Sequence, residues 1–326
     1  MKEIIIVGAD ISKATIDLYI KPFEKSLCIE NNPKGFKQWL KMLIQLSMSE
    51  VLVVMEHTGR YSRKFESFLT DQHIDYCKLP ALEIKRSMGV QRGKNDKVDA
   101  RRISEYGWLR REKLNADMPS ERDIIQLKDL WSLRAKLVRD RTGFINRLKE
   151  MKSTETKIDK YQEQMHQKYI DRFTQDIKQI EEKIKQTIKA NKTLQKTYEL
   201  ICSIKGVGLI VATYMITITN NFKRFDNARK FNCYAGLAPF KYESGTSIKG
   251  RSRVSHLANK DAKALLSLAA SCAIRCNGEL KKYYQKRVAE GKRKMSCLNI
   301  IRSKIVARMF AVVKRQTPYV ELYFAA

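Results

Sequence analysis

Two short runs of consecutive apolar residues stand out early in the chain, Ile4-Ile5-Ile6-Val7-Gly8-Ala9 and Val51-Leu52-Val53-Val54-Met55. Continuous rather than alternating apolar character predicts strands covered on both faces. Segments 15–20, 26–30 and 74–79 read as three more strands. After the turn Asn31-Asn32-Pro33-Lys34-Gly35, the residues Phe36, Leu40, Leu43 and Ile44 recur at helical spacing, and a second helix is expected around 62–71. Three strands, helix, strand, helix, strand is an α/β pattern that closes near residue 100.

From about 101 to 199 the pattern is almost wholly helical. Pro119-Ser120-Glu121-Arg122-Asp123 reads as a helix start with Ser120 as N-cap, followed by Ile124, Leu127, Leu130, Leu133 and Leu137 along one face. Between 150 and 200 the sparse apolar positions Ile170, Phe173, Ile177, Ile180, Ile184 and Ile188 suit a coiled-coil-like arm or an antiparallel pair of helices. Around 200 the texture changes. Leu200-Ile201-Cys202-Ser203-Ile204-Lys205-Gly206-Val207-Gly208-Leu209 fits a helix-hairpin-helix, whose glycines would let backbone N–H groups meet a phosphate. Beyond residue 222 we expect a polar loop at Tyr242–Ser247 and helices at about 259–276 and 296–314, separated by the basic stretch Lys281–Arg287. The resulting division is 1–115, 116–199 and 200–326.

Charge narrows the choice of partner. The 326-residue chain has a formal net charge of +29, which points to a polyanion, with nucleic acid first among candidates. Residues 1–100 are nearly balanced, with 16 Lys and Arg against 13 Asp and Glu, whereas residues 240–315 hold 19 against 4. Lys205, Gly206, Gly208, Lys249, Arg251, Arg253 and Lys260 are the candidate nucleic-acid contacts. The seven cysteines are scattered without a CxxC pair, so reduced, mostly buried thiols in a cytosolic protein are expected. The first apolar run stops at Asp10, too early for a signal peptide, and no stretch is long enough to span a bilayer. A cytoplasmic location without membrane attachment is therefore expected.

Both leading apolar runs finish on an acid, Asp10 and Glu56. Catalytic groups collect at strand ends in open α/β sheets. Asp96 and Asp99 lie three apart in Lys94-Asn95-Asp96-Lys97-Val98-Asp99-Ala100, a spacing that puts both on one helix face. Four gathered carboxylates repel one another unless cations intervene, and an all-oxygen set suits Mg²⁺, or Mn²⁺, over zinc. The expected chemistry is cleavage of a phosphodiester. His57 beside Glu56 reads as structural. Asp17 on the second strand is set aside on the reasoning that its side of the strand faces apolar partners.

Five motifs in order then resemble one family. They are Gly8-Ala9-Asp10-Ile11-Ser12-Lys13, Met55-Glu56-His57-Thr58-Gly59, Lys94–Ala100, Gly236-Leu237-Ala238-Pro239 followed by Ser244-Gly245, and His256-Leu257-Ala258-Asn259-Lys260. Together they resemble the DEDD transposases of the insertion-sequence one-ten family, the bridge-RNA-guided recombinases. The resemblance implies a RuvC-like (RNase H-like) N-terminal domain, a helical coiled-coil connector and a mainly helical C-terminal transposase domain. It implies Mg²⁺ held by Asp10, Glu56, Asp96 and Asp99, and Ser244 as the nucleophile that joins the protein to DNA. It also implies donor and target double-stranded DNA and a structured noncoding guide RNA. A helical arm and two duplexes favour a homo-oligomer, dimer or tetramer. Asn259-Lys260-Asp261 departs from the expected lysine-glycine pair, which reads as a local loop change. The alternative reading is a structure-specific, Holliday-junction endonuclease that uses the four acids and water with no serine step.

Overall fold

A computed structural model describes residues 4–45, 50–57, 59–87, 96–154, 159–244, 247–276 and 278–321, apart from the side chains of Asp96, Lys97, Ser244, Ile248 and Lys249. The chain divides into two units, 1–119 and 120–326.

The first unit runs β1 (Ile4–Ile11), β2 (Thr15–Lys21), β3 (Lys25–Glu30), α1 (Pro33–Gln45), β4 (Glu50–Glu56), α2 (Arg63–Asp71), β5 (Asp75–Leu79), α3 (Ala81–Ser87) and α4 (Asp96–Arg110). Its sheet has the order β3-β2-β1-β4-β5. β1, β2 and β3 are joined antiparallel, while β4 lies parallel to β1 and β5 parallel to β4. Both faces of the sheet are covered. On one, Ile5, Val7, Ala9, Val51, Val53 and Met55 pack with Trp39, Phe36 and Phe65 of α1 and α2. Those rings sit 5.2 to 5.3 Å apart between centroids. Each such side chain contributes about 1.5–3 kcal/mol by leaving water. On the other face, Ile6, Leu52 and Val54 pack with Ile84 of α3 and Ile103 and Tyr106 of α4. The helix α1 starts sharply because the Asn32 side chain accepts from Gly35 N–H at 3.0 Å and Pro33 takes the first helical position.

The second unit contains α5 (Arg122–Thr154), α6 (Lys160–Ala190), α7 (Lys192–Cys202), α8 (Leu209–Ile218), α9 (Ala228–Tyr234), β6 (Pro239–Ser244), β7 (Ile248–Val254), α10 (Lys260–Ala273), α11 (Glu279–Ala289) and α12 (Lys294–Arg315). α5 and α6 form an antiparallel pair, fixed in register by Arg134–Glu181 at 2.7 Å, Arg141–Thr174 at 3.3 Å and Lys152–Glu163 at 2.6 Å. Phe144 inserts between them against His166, Tyr169 and Phe173. At 33 residues α5 extends roughly 50 Å at the helical rise. Its root does not stand apart: Ile124, Leu127, Ile184 and Ile188 belong to the same core as α7, α8, α10 and α12. α8 is apolar all round and sits inside that core against α5, α7 and α10.

Several sequence expectations need correction here. α5 begins at Arg122, so Glu121, whose carbonyl accepts from Ile124 and Ile125, takes the cap position assigned to Ser120. Tyr242, Glu243 and Ser244 are not loop but the end of strand β6, which pairs antiparallel with β7. Lys281–Arg287 is itself helical, within α11. Nor are the thiols mostly buried: Cys77 and Cys297 are buried, Cys28 and Cys272 exposed, and all seven are free. No helix among the described residues is long and apolar enough to cross a membrane.

Candidate functional site: a strand-end carboxylate group and a basic ribbon

Alternation along the sheet decides which acids can meet. Ile6, Leu52 and Val54 face α4, so Asp10 and Glu56, at the same phase of their strands, face α4 too. The parallel register Ala9↔Met55 makes Asp10 and Glu56 next neighbours at the carboxyl ends of β1 and β4. Both are half-buried.

Two glycines bring the helix down onto these strands. A Cβ at Gly8 would lie 2.3 Å from the Ala100 carbonyl oxygen and 2.4 Å from the Ser104 nitrogen, so α4 rests on β1 backbone to backbone. Gly107 leaves room for side chains instead: a Cβ there would lie 2.8 Å from a methyl carbon of Ile6 and of Val54. Later residues of α4 thus lie over earlier residues of β1. The helix runs antiparallel to the strand, and its first turn, with Asp96 and Asp99, lies toward the strand end that carries Asp10. Asp99 is half-buried, and Arg102 donates to its Oδ1 at 2.8 Å. The Asp96 backbone opens α4, but its side chain lies outside the described residues, as do Lys94, Asn95 and Thr58.

A further acid lies beside Asp10. Asp17 on β2 is paired directly with Asp10. The core beneath α1 takes Ile16, Leu18 and Ile20, so the odd positions of β2 turn to the α4 face. There Arg101 stacks over Tyr19, two residues on, at 5.6 Å. Asp17 therefore shares the α4 face with Asp10, opposite to the side expected from the sequence. Among the described residues, no group of three or more His, Cys, Asp or Glu is drawn together closely enough to hold a metal ion. The donor set is nonetheless of the right kind: half-buried carboxylate oxygens, adjacent in register, suit a hard cation.

The basic residues divide by environment. Lys205 forms an ion pair with Glu321 at 2.8 Å. Gly206 has φ +91°, and a Cβ there would meet the Ala269 carbonyl of α10 at 2.4 Å, so turn geometry and packing both require glycine. Gly208 caps the N-terminus of α8 and is exposed. Arg251 and Arg253 on β7 are exposed, as is Lys260 at the start of α10. On the facing strand, Phe240 and Tyr242 are also exposed, which interleaves aromatic and basic groups along the ribbon. The side chains of Ser244 and Lys249 lie outside the described residues, and so do Gly245 and Thr246.

The departure at Asn259-Lys260-Asp261 is not a loop change. Asn259 caps α10 by accepting from Ala262 N–H at 2.8 Å, accepts from the Tyr214 hydroxyl at 2.8 Å and donates to the Tyr234 hydroxyl at 2.8 Å. One amide thereby ties α8, α9 and α10 together. Burial and the neighbouring Tyr234 push the Tyr214 hydroxyl pKa upward, so it stays protonated as a donor.

An α/β sheet ending in acids and a basic helical unit define a nucleic-acid-processing protein, and comparisons with known proteins narrow this class. A DEDD-type transposase model matches residues 7–153, and a model described as Transposase IS116/IS110/IS902 family matches residues 198–285. Pilin gene-inverting proteins of Moraxella lacunata and Moraxella bovis are each 24% identical over 322 residues, covering 96% of this chain and 97% of theirs. An uncharacterised insertion element IS110 protein of Streptomyces coelicolor is 28% identical over 120 residues, 37% of this chain and 29% of its own. The chain belongs to the IS110 family of transposases, and is thus an enzyme of DNA transposition and recombination.

Proposed function

We propose that this transposase cuts and rejoins DNA by a two-part chemistry, with a carboxylate site on the first unit and a serine nucleophile at the end of β6. The observation that carries the reading is the register of Asp10 with Glu56 on the face covered by α4, with Asp96 and Asp99 in the first turn of that helix. The sheet order β3-β2-β1-β4-β5, with β1, β2 and β3 antiparallel and β4 and β5 parallel to β1, is consistent with an RNase H-like, RuvC-like domain. Asp10, Glu56, Asp96 and Asp99 would hold Mg²⁺, or Mn²⁺. Bound there, the ion supplies Lewis-acid stabilisation of charge on a phosphate. Ser244 attacks phosphorus through Oγ. Its hydroxyl proton passes to a base, the P–O bond to one deoxyribose breaks, and that sugar leaves with a free hydroxyl. Attack by a different strand's hydroxyl then reverses the step and frees the serine. The covalent ester conserves the bond that rejoining needs.

On this reading, residues 1–115 act as the nuclease domain, 116–199 as a helical connector and 200–326 as the transposase domain. Arg251, Arg253, Lys260 and Lys249 meet DNA or RNA phosphates, together with Gly208 at the start of α8. Selection of donor and target is delegated to a guide RNA, consistent with exposed basic surface and with phosphate contacts that carry no sequence information. The α5–α6 pair is the assembly element of a dimer or tetramer. Gene inversion, which the Moraxella relatives are named for, is a rejoining reaction of the same type.

The test is a denaturing gel that detects protein linked to DNA, with Mg²⁺, cognate DNA and co-purified RNA. Wild type should give an adduct, and Ser244→Ala and Asp10→Ala should give none. Cleavage without adduct, retained in Ser244→Ala, would instead identify a nuclease that activates water.

A further inference from the structure

α12 carries a charge that has no counter-ion among the described residues. Arg302 lies in the apolar stripe of that helix, between Ile301 and Ile305, and is 5% exposed. Its Nη1 donates to Asn299 Oδ1 at 3.3 Å, and its Nε is enclosed with no acceptor. No carboxylate among the described residues pairs with it, unlike Arg308 one and a half turns on, which bonds Glu279 at 2.6 Å. A buried guanidinium without an anion is among the costliest groups a fold can keep. Burial alone lowers its pKa from the ordinary arginine range, and no acidic neighbour opposes the shift.

The surroundings of Arg302 lead to the ribbon. Asn299 donates through Nδ2 to the Leu237 carbonyl at 2.8 Å. Leu237 lies in the Gly236–Pro239 turn, whose Leu237 and Ala238 N–H groups bond the Asn232 carbonyl. The Asn232 side chain leaves its own Oδ1 enclosed without a donor. Two orphaned polar groups, one cationic, therefore flank the turn from which β6 departs toward Ser244. A rotated Asn232 amide would present Nδ2 as a donor at the same turn that Asn299 ties to Arg302.

We infer that Arg302, with Asn299 and Asn232, forms an anion site at the foot of the β6–β7 ribbon that takes a phosphate oxygen. Resting on the nucleic-acid reading above, the source is a backbone phosphate of bound DNA or RNA. The ligand supplies the counter-ion that the described residues lack and fixes the turn that positions β6. This differs from the contacts of Arg251 and Arg253, which are solvated before binding and gain little order from it. Arg302 is here a binding and positioning residue.

The experiment compares wild type, Arg302→Met and Arg302→Lys by thermal melting, with inorganic phosphate in one arm and a mixed-sequence DNA duplex in the other. Salt titration of duplex affinity runs alongside. Without ligand, Arg302→Met should melt at or above wild type, because a buried charge has been replaced by a side chain of similar length. Wild type should be stabilised by ligand, and Arg302→Met should lose at least half of that shift, with Arg302→Lys between them. If inorganic phosphate gives the same Arg302-dependent shift as duplex, the site accepts free phosphate. A shift confined to duplex, with the slope of log affinity against log salt reduced by about 0.9 in Arg302→Met, assigns a backbone phosphate. Equal shifts in all three proteins, or no response of wild type to either ligand, would overturn the inference. Should Arg302→Met not fold, the same comparison is made on Arg302→Lys, whose unchanged response would overturn it. Failure of wild type to bind any duplex would count against the nucleic-acid reading, while an Arg302-dependent phosphate shift would still uphold the anion site.

Discussion

Asp10 and Arg251 both sit on strands, but on strands of opposite kind. β1 buries five consecutive residues, Ile5 to Ala9, between two layers of helices. β7 exposes Arg251, Ser252 and Arg253 in a row, on a ribbon of two strands. An isolated pair of strands is marginal in water, whereas a strand covered on both faces is as rigid as any part of a fold. On the function proposed above, the groups that gather charge at fixed separations lie on β1, β4 and α4, and the groups that follow an irregular polyanion lie where the backbone can adapt.

This contrast predicts different failures. The largest belongs to the strand-end acids. Asp10→Asn or Glu56→Gln should lower DNA strand transfer by at least about 10³-fold, while leaving the unfolding midpoint unchanged or higher, since mutual repulsion is relieved. Parallel loss of stability and activity in a urea titration with an activity assay would make these acids structural. Next comes Gly8→Val. With backbone atoms 2.3 and 2.4 Å from an added Cβ, α4 must lift from β1, which should cost about 1–3 kcal/mol in denaturant unfolding and lower activity with it. A neutral Gly8→Val would mean that α4 does not set the site. The smallest effect belongs to the ribbon. Arg251→Ala and Arg253→Ala should each leave melting unchanged and reduce the salt dependence of DNA affinity by about 0.9 in slope. A loss of stability equal to that of Gly8→Val would erase the distinction between the two regions.

The first unit was readable because strands buried on both faces advertise themselves as unbroken apolar runs, and both runs end on the acids that matter most to the reading. Asp17 was misplaced for a related reason. When both faces are covered, hydrophobicity does not tell which face a polar residue shares, and only the Asp10↔Asp17 pairing does. Gly8 and Gly107 signal close approach only once the partner is known. The ribbon went unseen because an exposed hairpin rich in Lys, Arg and Ser has no apolar alternation. Arg302 escaped because a basic residue in a basic segment reads as solvated, and its burial depends on α9 and α10, far away in sequence. The helix pair α5–α6 was legible as either an arm or a hairpin, and the register of Arg134 with Glu181 decides for the hairpin.

Asp17 offers a finer probe of the same site. It stands opposite Asp10 on the α4 face, where like charges side by side are destabilising. Asp17→Asn should therefore stabilise the first unit slightly and weaken activity by less than Asp10→Asn does, read as metal concentration for half-maximal cleavage. An effect as large as that of Asp10→Asn would place Asp17 among the ligands.

The most direct test of the central claim is the identity of the residue that becomes joined to DNA. Trypsin cutting after Lys241 and Lys249 releases a peptide holding Tyr242, Ser244, Thr246 and Ser247, every competing hydroxyl in one fragment. Mass spectrometry of the nuclease-trimmed adduct should show a nucleotide on this peptide, and fragmentation should place it on Ser244. A nucleotide on Tyr242, Thr246 or Ser247, or on another peptide, would contradict the assignment.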